Sequence, residues 1–449
     1  MPTHYSIFWS QNSFVNEKVN PMTLVRRSMS LFLLVAVALM MGMTIPVSAQ
    51  DDYDVEMSGT PQTAGTAHFL IHYTLTGEDA VTLDYVEAVK EAVEKAWQVQ
   101  VDLFGYGAPP PDDGRGGDDR YDVYLVDLTE DDALGITSPE DFVGDNINTP
   151  AREDYAYTSI LSVENDFADI DFLEGQDAFT LMLTTVAHEF SHAIQFGYDF
   201  NDAHYWIYEA TATWMETQTA GVDQDATGYV GDVFTYPELC FGSEVDEEDY
   251  DRHYGQWLYI DHIAQDFGAD IVRRVWEISA DYEGFEVLER ALAEQNAHFA
   301  DTFADFHLRN LARDYELGDL FDSTVWLEDV VNSNGWFYEG AGIEELSANY
   351  FLIELKGTYT VELTDDDGDL QLYSIGIDGD QVDTFFLERA GTINPGKYDE
   401  FYVMVFNPNY DEDLEECEAA TFDLTFTTTE GELPRLYRQF NGSKFEPLS

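Results

Sequence analysis

Residues 178–196, AFTLMLTTVAHEFSHAIQF, constrain the fold more than any other stretch of the chain. Nineteen residues without glycine or proline are too long for an ordinary strand, and the run stops at Gly197, so a helix is predicted. Only His188, Glu189 and His192 can ionise within it, which requires burial along most of its length. At about 100° per residue, Phe179, Val186, Phe190 and Ala193 centre on the side opposite the two histidines. One side is expected to enter a core and the other to face a cleft.

His188 and His192 stand four apart, so on a helix they project one turn apart from the same side, the separation that grips a single metal ion. Zinc readily accepts two neutral imidazole nitrogens. Glu189, next to the first histidine, is placed to take a proton from a water held by the metal rather than to bind the metal. A third ligand is expected on a second helix, and residues 206–216, WIYEATATWME, have its character. Ala210 and Ala212 permit close approach to the first helix, while Trp206 and Trp214 supply packing. Gly197 and the polar turn at 199–202 fall between His192 and Glu209, which allows an antiparallel return. Two His and one Glu leave the fourth tetrahedral position to water, as in a catalytic site.

HEFSH followed by WIYEATATWME resembles the gluzincin metallopeptidases, with the second helix closest to their aminopeptidase branch. The resemblance implies that His188, His192 and Glu209 bind Zn2+ and that Glu189 is the general base. Tyr208 stands where the aminopeptidase branch has Asn, Ala210 where it has Gly, and no G-x-M-E-N segment occurs to hold a free amino terminus. The implied activity is therefore that of an endopeptidase acting on peptides or proteins. The gap between the histidines and Glu209 is slightly shorter than in thermolysin-like enzymes, leaving Glu216 as a second candidate ligand, although the E-x-x-A alignment favours Glu209. For so short a pattern as H-E-x-x-H the alternative is two hydrogen-bonded core histidines. Tyr254 or His253, in DRHYG at 251–255, is the expected oxyanion donor, the alternative being that Tyr254 starts and packs the following helix. Residues 157–163 are expected to be either the edge strand along which an extended peptide adds, or an ordinary core strand.

The remaining pattern predicts an α+β fold. Strands at 67–74, 121–128 and 157–163, with helices at 83–103 and 178–196, form a zincin-like lobe over 50–204. A mainly helical lobe over 205–330 completes the metal site, with helices at 206–219, 254–267, 269–278 and 285–311, the last broken near Gln295. Short alternating segments from about 348 predict a β-sandwich over 331–449. This plan is similar to that of a group of secreted bacterial metallopeptidase-like proteins.

Residues 1–49 read as an N-terminal extension and a signal peptide, with Met22 the expected start: Arg26 and Arg27 precede an apolar run that ends in small residues at Ala49. Cleavage there predicts a secreted protein without stable membrane insertion. The 449 residues carry 89 Asp+Glu against 20 Lys+Arg, a net charge of -69, which excludes nucleic acid and anionic membranes as partners. Repulsion of that size predicts a halophilic setting or bound cations. Calcium could be held by the aspartates of 365–369, but this loop lacks the bidentate Glu of an EF-hand and reads more readily as a solvated turn. Acidic residues at 244–251 read as a solvated face, and Asn441-Gly442-Ser443 is a formal glycosylation sequon. Cys240 and Cys417 either pair or remain two buried thiols. A monomer is expected. Two functions follow: a secreted zinc endopeptidase, or a secreted or surface binding protein on the same scaffold with little or no proteolytic activity.

Overall fold

The computed structural model describes residues 55–129, 133–167, 177–201, 204–222, 224–242, 251–315, 317–321, 323–340, 342–365, 369–410, 417–428, 438–441 and 444–445. The expected signal peptide, the acidic run before 251, the centre of the 365–369 loop and the end of the sequon lie outside the described residues.

The chain opens with β1 (Gln62–Gly65), β2 (Phe69–Tyr73), α1 (Leu83–Trp97), β3 (Tyr121–Val126), β4 (Gly135–Gly144), β5 (Ala156–Glu164) and α2 (Ala178–Phe196). Its five strands form one sheet in the order β1-β2-β3-β5-β4. β2, β3 and β5 run parallel, while the outer β1 and β4 are antiparallel to their neighbours. Alternation sends Phe69, Ile71, Val123, Leu125, Leu161 and Val163 into the core shared with α1 and α2. Phe190 of α2 meets the rings of Phe69, Tyr121 and Trp97 at 5.2, 5.8 and 5.8 Å. Burying that one side chain contributes roughly 1.5–3 kcal/mol.

Local chemistry fixes the helix starts. Thr82 accepts the Tyr85 amide at the head of α1, and Asp177 accepts the Thr180 amide at the head of α2. The helix expected over 83–103 is regular only to Trp97 and continues as a π-helical turn over residues 98–103. The two alternatives for residues 157–163 are also decided. They belong to β5, which pairs with β3 on one side and β4 on the other, so they are a core strand and the edge is β4. The side of α2 expected to face a cleft is also packed, because α3 (Tyr205–Ala220) lies against it.

Helices follow as α4 (Gln224–Thr235), α5 (Asp251–Gly255), α6 (Trp257–Phe267), α7 (Asp270–Ser279), α8 (Phe285–Glu294) and α9 (Phe299–Ala312). The single helix expected over 254–267 is thus two, and Tyr254 sits near the end of α5 rather than at a helix start. Gly255 explains the break: a Cβ there would lie 2.2 Å from the Tyr229 carbonyl oxygen, so α5 presses on α4 and the chain turns before α6.

The strand-rich segment comprises β6 (Asp329–Val331), β7 (Phe337–Glu339), β8 (Ala348–Ile353), β9 (Tyr359–Asp365), β10 (Gln371–Asp378), β11 (Gln381–Glu388), β12 (Ala390–Ile393), β13 (Glu400–Phe406), β14 (Phe422–Thr428), β15 (Arg438–Asn441) and β16 (Lys444–Phe445). These make a sheet ordered β16-β15-β11-β10-β13-β8-β6 and a smaller one ordered β12-β9-β14-β7. Phe351, Leu372, Val403 and Val405 from the first share a core with Val361, Leu363, Leu424 and Phe426 from the second. The alternate residues Tyr350, Tyr373, Ile375, Met404 and Phe406 join the core of the helices instead. Apolar packing therefore continues across the region near 330. His307 of α9 fastens the layers, with Nδ1 3.2 Å from the Tyr350 hydroxyl and Nε2 3.0 Å from the Leu346 carbonyl oxygen. Cys240 and Cys417 form a disulfide, Cα atoms 6.1 Å apart, which fits an oxidising compartment. No helix among the described residues is long and apolar enough to cross a membrane.

Candidate metal centre

α2 and α3 bring His188, His192 and Glu209 together, with one ligand atom of each within 4.8 Å of the others. His188 Nε2 lies 3.0 Å from His192 Nε2 and 3.1 Å from Glu209 Oε2, and His192 Nε2 lies 3.5 Å from the same oxygen. Ligands about 2.0–2.1 Å from a tetrahedral ion are about 3.3 Å from one another, so the trio is spaced as one face of such a site.

Hydrogen bonding behind the trio fixes what its atoms can do. His188 Nδ1 is 2.6 Å from Glu216 Oε1, and a carboxylate can only accept, so this nitrogen carries the proton. His192 Nδ1 is 2.7 Å from Gln195 Oε1. The Gln195 amide cannot be turned round, because its Nε2 donates to the Tyr208 carbonyl at 3.1 Å and to Thr211 Oγ1 at 3.0 Å. Both imidazoles therefore turn Nε2 towards each other and towards a carboxylate. Atoms so close need a proton or a metal ion among them, and the set is one that could hold a divalent ion. The same demand shows in the ionisation of the residues. Burial works against charge on His188, but Glu209 and Glu216 outweigh it and raise its pKa well above the ordinary value. Burial would raise Glu209, yet His192 and His188 hold it well below the usual carboxylate range. Glu216, the second candidate ligand, is thus a partner of His188 behind the trio.

Glu189 is 1% exposed. The Thr137 hydroxyl of β4 lies 2.8 Å from its Oε2 and 2.7 Å from its backbone oxygen. β4 approaches so closely at Gly135 that a Cβ there would lie 2.6 Å from Glu189 Cγ. Tyr254 stacks on His188 with ring centroids 5.5 Å apart and packs on Tyr229 at 5.0 Å. Burial first, then the charge of Glu209, raises its phenol pKa well above the ordinary value, and its hydroxyl reaches Glu209. It is a protonated donor beside the trio. His253, the other expected donor, is buried on the same turn, and it is the Tyr254 ring that lies against His188.

Several contributors were absent from the sequence reading. Gln100, in the π-helical turn after α1, donates to the Ala187 carbonyl at 2.8 Å and accepts from Ser191 at 3.0 Å, holding α2 in place. Gln195 sits three residues after His192, a helical neighbour spacing that could have revealed it. Thr137 and Gln100 come from distant segments and carry no such signal.

A second group, His262, Asp266 and Asp305, also has ligand atoms within 4.8 Å. Here the cation belongs to the chain: Arg309 lies 2.9 Å from Asp266 and 3.0 Å from Asp305. Burial, and then Arg309, push the His262 pKa down to about 3. Asp365 of the expected calcium loop accepts the Leu370 amide at 2.9 Å and pairs with Arg389, as a residue closing its own turn does.

Residues 174–358 match the model of a family of unknown function, DUF6055. The matching segment contains α2, α3, Tyr254 and Gln195, and leaves outside it the five-stranded sheet with Thr137 and Gly135. No curated protein matches the chain.

Proposed function

We propose that the chain is a secreted zinc endopeptidase, in which His188, His192 and Glu209 hold the ion. One observation carries the reading: two imidazole nitrogens and a carboxylate oxygen converge within 3.0–3.5 Å while both Nδ1 atoms are committed to acceptors behind them. A zinc ion held there would supply Lewis acidity towards a peptide carbonyl and lower the pKa of a water. With such an ion in place, Glu189, its carboxylate held by Thr137, would be the group that accepts a proton and returns it to the leaving amine. Tyr254, protonated at neutral pH, donates to the oxygen that gains charge. Among the described residues β4 is the outermost strand of its sheet, and next to Glu189 its outer edge would offer backbone groups to an extended peptide, as β-augmentation requires. Complete burial of the histidine pair against α3 favours a second reading, in which the metal is structural and the protein binds a partner without cutting it.

Metal analysis and casein cleavage by the wild type and by Glu189→Gln test both. The endopeptidase reading expects about one zinc per chain in each protein, with cleavage lost by at least about a hundredfold in the variant. Zinc retained by a wild type that cleaves neither casein nor a peptide library would favour the binding reading; a wild type holding no zinc would overturn both.

A further inference from the structure

We propose that the aromatic patch formed by Phe142, Tyr155, Tyr157 and Phe200, at the end of β4 away from Glu189, selects the peptide by taking an apolar side chain about four or five residues from the bond that is cut. The inference rests on the endopeptidase reading and adds to it the class of segment cleaved, which is extended, apolar and not acidic.

β4 pairs with β5 so that Thr137 lies opposite Leu161, Pro139 opposite Ser159 and Phe142 opposite Tyr157. Alternate residues of β5 share a face, and Leu161 belongs to the core with α2, so Thr137 and Phe142 both stand on the α2 side of the sheet. Thr137 is the residue that holds the Glu189 carboxylate, at 2.8 Å. Phe142 follows it by roughly 15 Å along a strand that rises about 3.4 Å per residue and loses some length at its bulges. One strand edge thus leads from Glu189 to the patch.

Ring contacts tie the patch back to the trio. Phe142 meets Tyr157 at 5.4 Å, Tyr157 meets Phe200 at 4.7 Å and Phe200 meets Phe196 at 4.8 Å. Phe196, one turn after His192 on α2, stacks on that imidazole at 6.3 Å. The Tyr155 carbonyl accepts the Phe200 amide at 3.2 Å, which places the two residues side by side. Phe196 is covered, but Phe142 is 59% exposed, Tyr155 47%, and Tyr157 and Phe200 are half-buried. Single exposed apolar side chains are ordinary on a protein surface, whereas a connected group of rings on a strongly acidic one marks a place of contact.

Backbone pairing alone does not supply this recognition. Pro139 has no amide, and the register shifts between Pro139 and Phe142 and again before Gly144, so a peptide can follow the ladder of β4 only to about Pro139. Beyond that point contact falls to side chains. An extended peptide that pairs beside Thr137 carries every second side chain to the same face, so one of them arrives against Phe142. A net charge of -69 repels acidic segments and leaves aromatic and branched apolar residues as the fitting occupants. Rings held in place by one another lose little freedom when a side chain docks on them.

The test compares two short fluorescein-labelled peptides, one with Phe-Leu-Phe at its centre and one with Ser-Ser-Ser there. Anisotropy with the Glu189→Gln protein in about 0.5 M NaCl reads selection without cleavage. The apolar peptide is expected to bind at least about tenfold tighter. Adding Phe142→Ser should remove most of that preference and adding Phe142→Leu should keep it, and both change an exposed position that the fold does not depend on. In the zinc-loaded wild type, cleavage of a peptide library should enrich apolar residues about four or five positions from the cut bond, and Phe142→Ser should lose the enrichment. Equal affinity for the two peptides overturns the inference, as does a preference unchanged by Phe142→Ser, or a library cut without that enrichment. So does a concentration-dependent dimer that Phe142→Ser dissociates, because a second copy would then fill the patch. A wild type that cuts nothing overturns the endopeptidase reading, and the two affinities still decide whether the patch selects apolar peptides.

Discussion

Gln195 gives its two amide atoms to different tasks: Oε1 accepts a hydrogen bond from His192 Nδ1, and Nε2 ties α2 to the Tyr208 carbonyl and Thr211 of α3. Replacing it with leucine keeps most of the volume and removes the acceptor, so the imidazole is free to place its proton on Nε2. Zinc affinity of Gln195→Leu should fall by about 10–100-fold, the usual effect of losing a partner behind a metal-bound histidine. Competition against a chromophoric chelator measures it, and an affinity equal to that of the wild type would show that the ring is held by packing alone. His188, His192 and Glu209, which the structure brings together, were legible as candidates in the sequence, the histidines from their helical spacing and Glu209 from the resemblance carried by its helix. Glu216 was visible too, with its role left open until His188 Nδ1 was found beside it. Thr137 acts across 52 residues and Gln100 across 87, where no local pattern reaches.

Among the elements, strands such as β10 and β13 were legible as short alternating segments, because apolar residues on both sides of the sheet meet a buried face. β4 was not. GITSPEDFVG has Pro139, two glycines and no sustained alternation, and it is a strand because β5 offers it a partner. Short α4 was missed for want of a strong stripe, and the break after Gly255 depends on the distant Tyr229 carbonyl. The cysteine pairing was also beyond reach, since 177 residues separate the partners. That length now sets an expectation. The bridge joins the segment after α4 to the connection between β13 and β14, and closing so long a loop should stabilise the chain by on the order of 5 kcal/mol. Denaturant melts of the double variant Cys240→Ser with Cys417→Ser should show a loss of that order; a change under about 1 kcal/mol would mean that the packed layers already restrict the unfolded chain, or that the loop-entropy account fails here.

For the molecule as a whole, a net charge of -69 sits on a fold whose apolar core runs from the five-stranded sheet through the helices to β8, β10 and β13. The core favours compaction and the surface opposes it, so the balance should depend on counterions. Tm is expected to rise with NaCl well beyond about 0.15 M, and the proposed peptidase activity with it. A melting curve unmoved between low and molar salt would show that the acidic groups are already neutralised, by specific cations or by protons. The free edge of β4 has another consequence at this scale. An unpaired strand edge is an invitation to a second copy of the same edge, and copies joined in that way grow into aggregates. Here Pro139 withholds an amide, two register shifts bend the strand between Pro139 and Gly144, and Asp141 adds charge. Only the short stretch before Pro139 stays regular, which limits how far edge-to-edge pairing can extend.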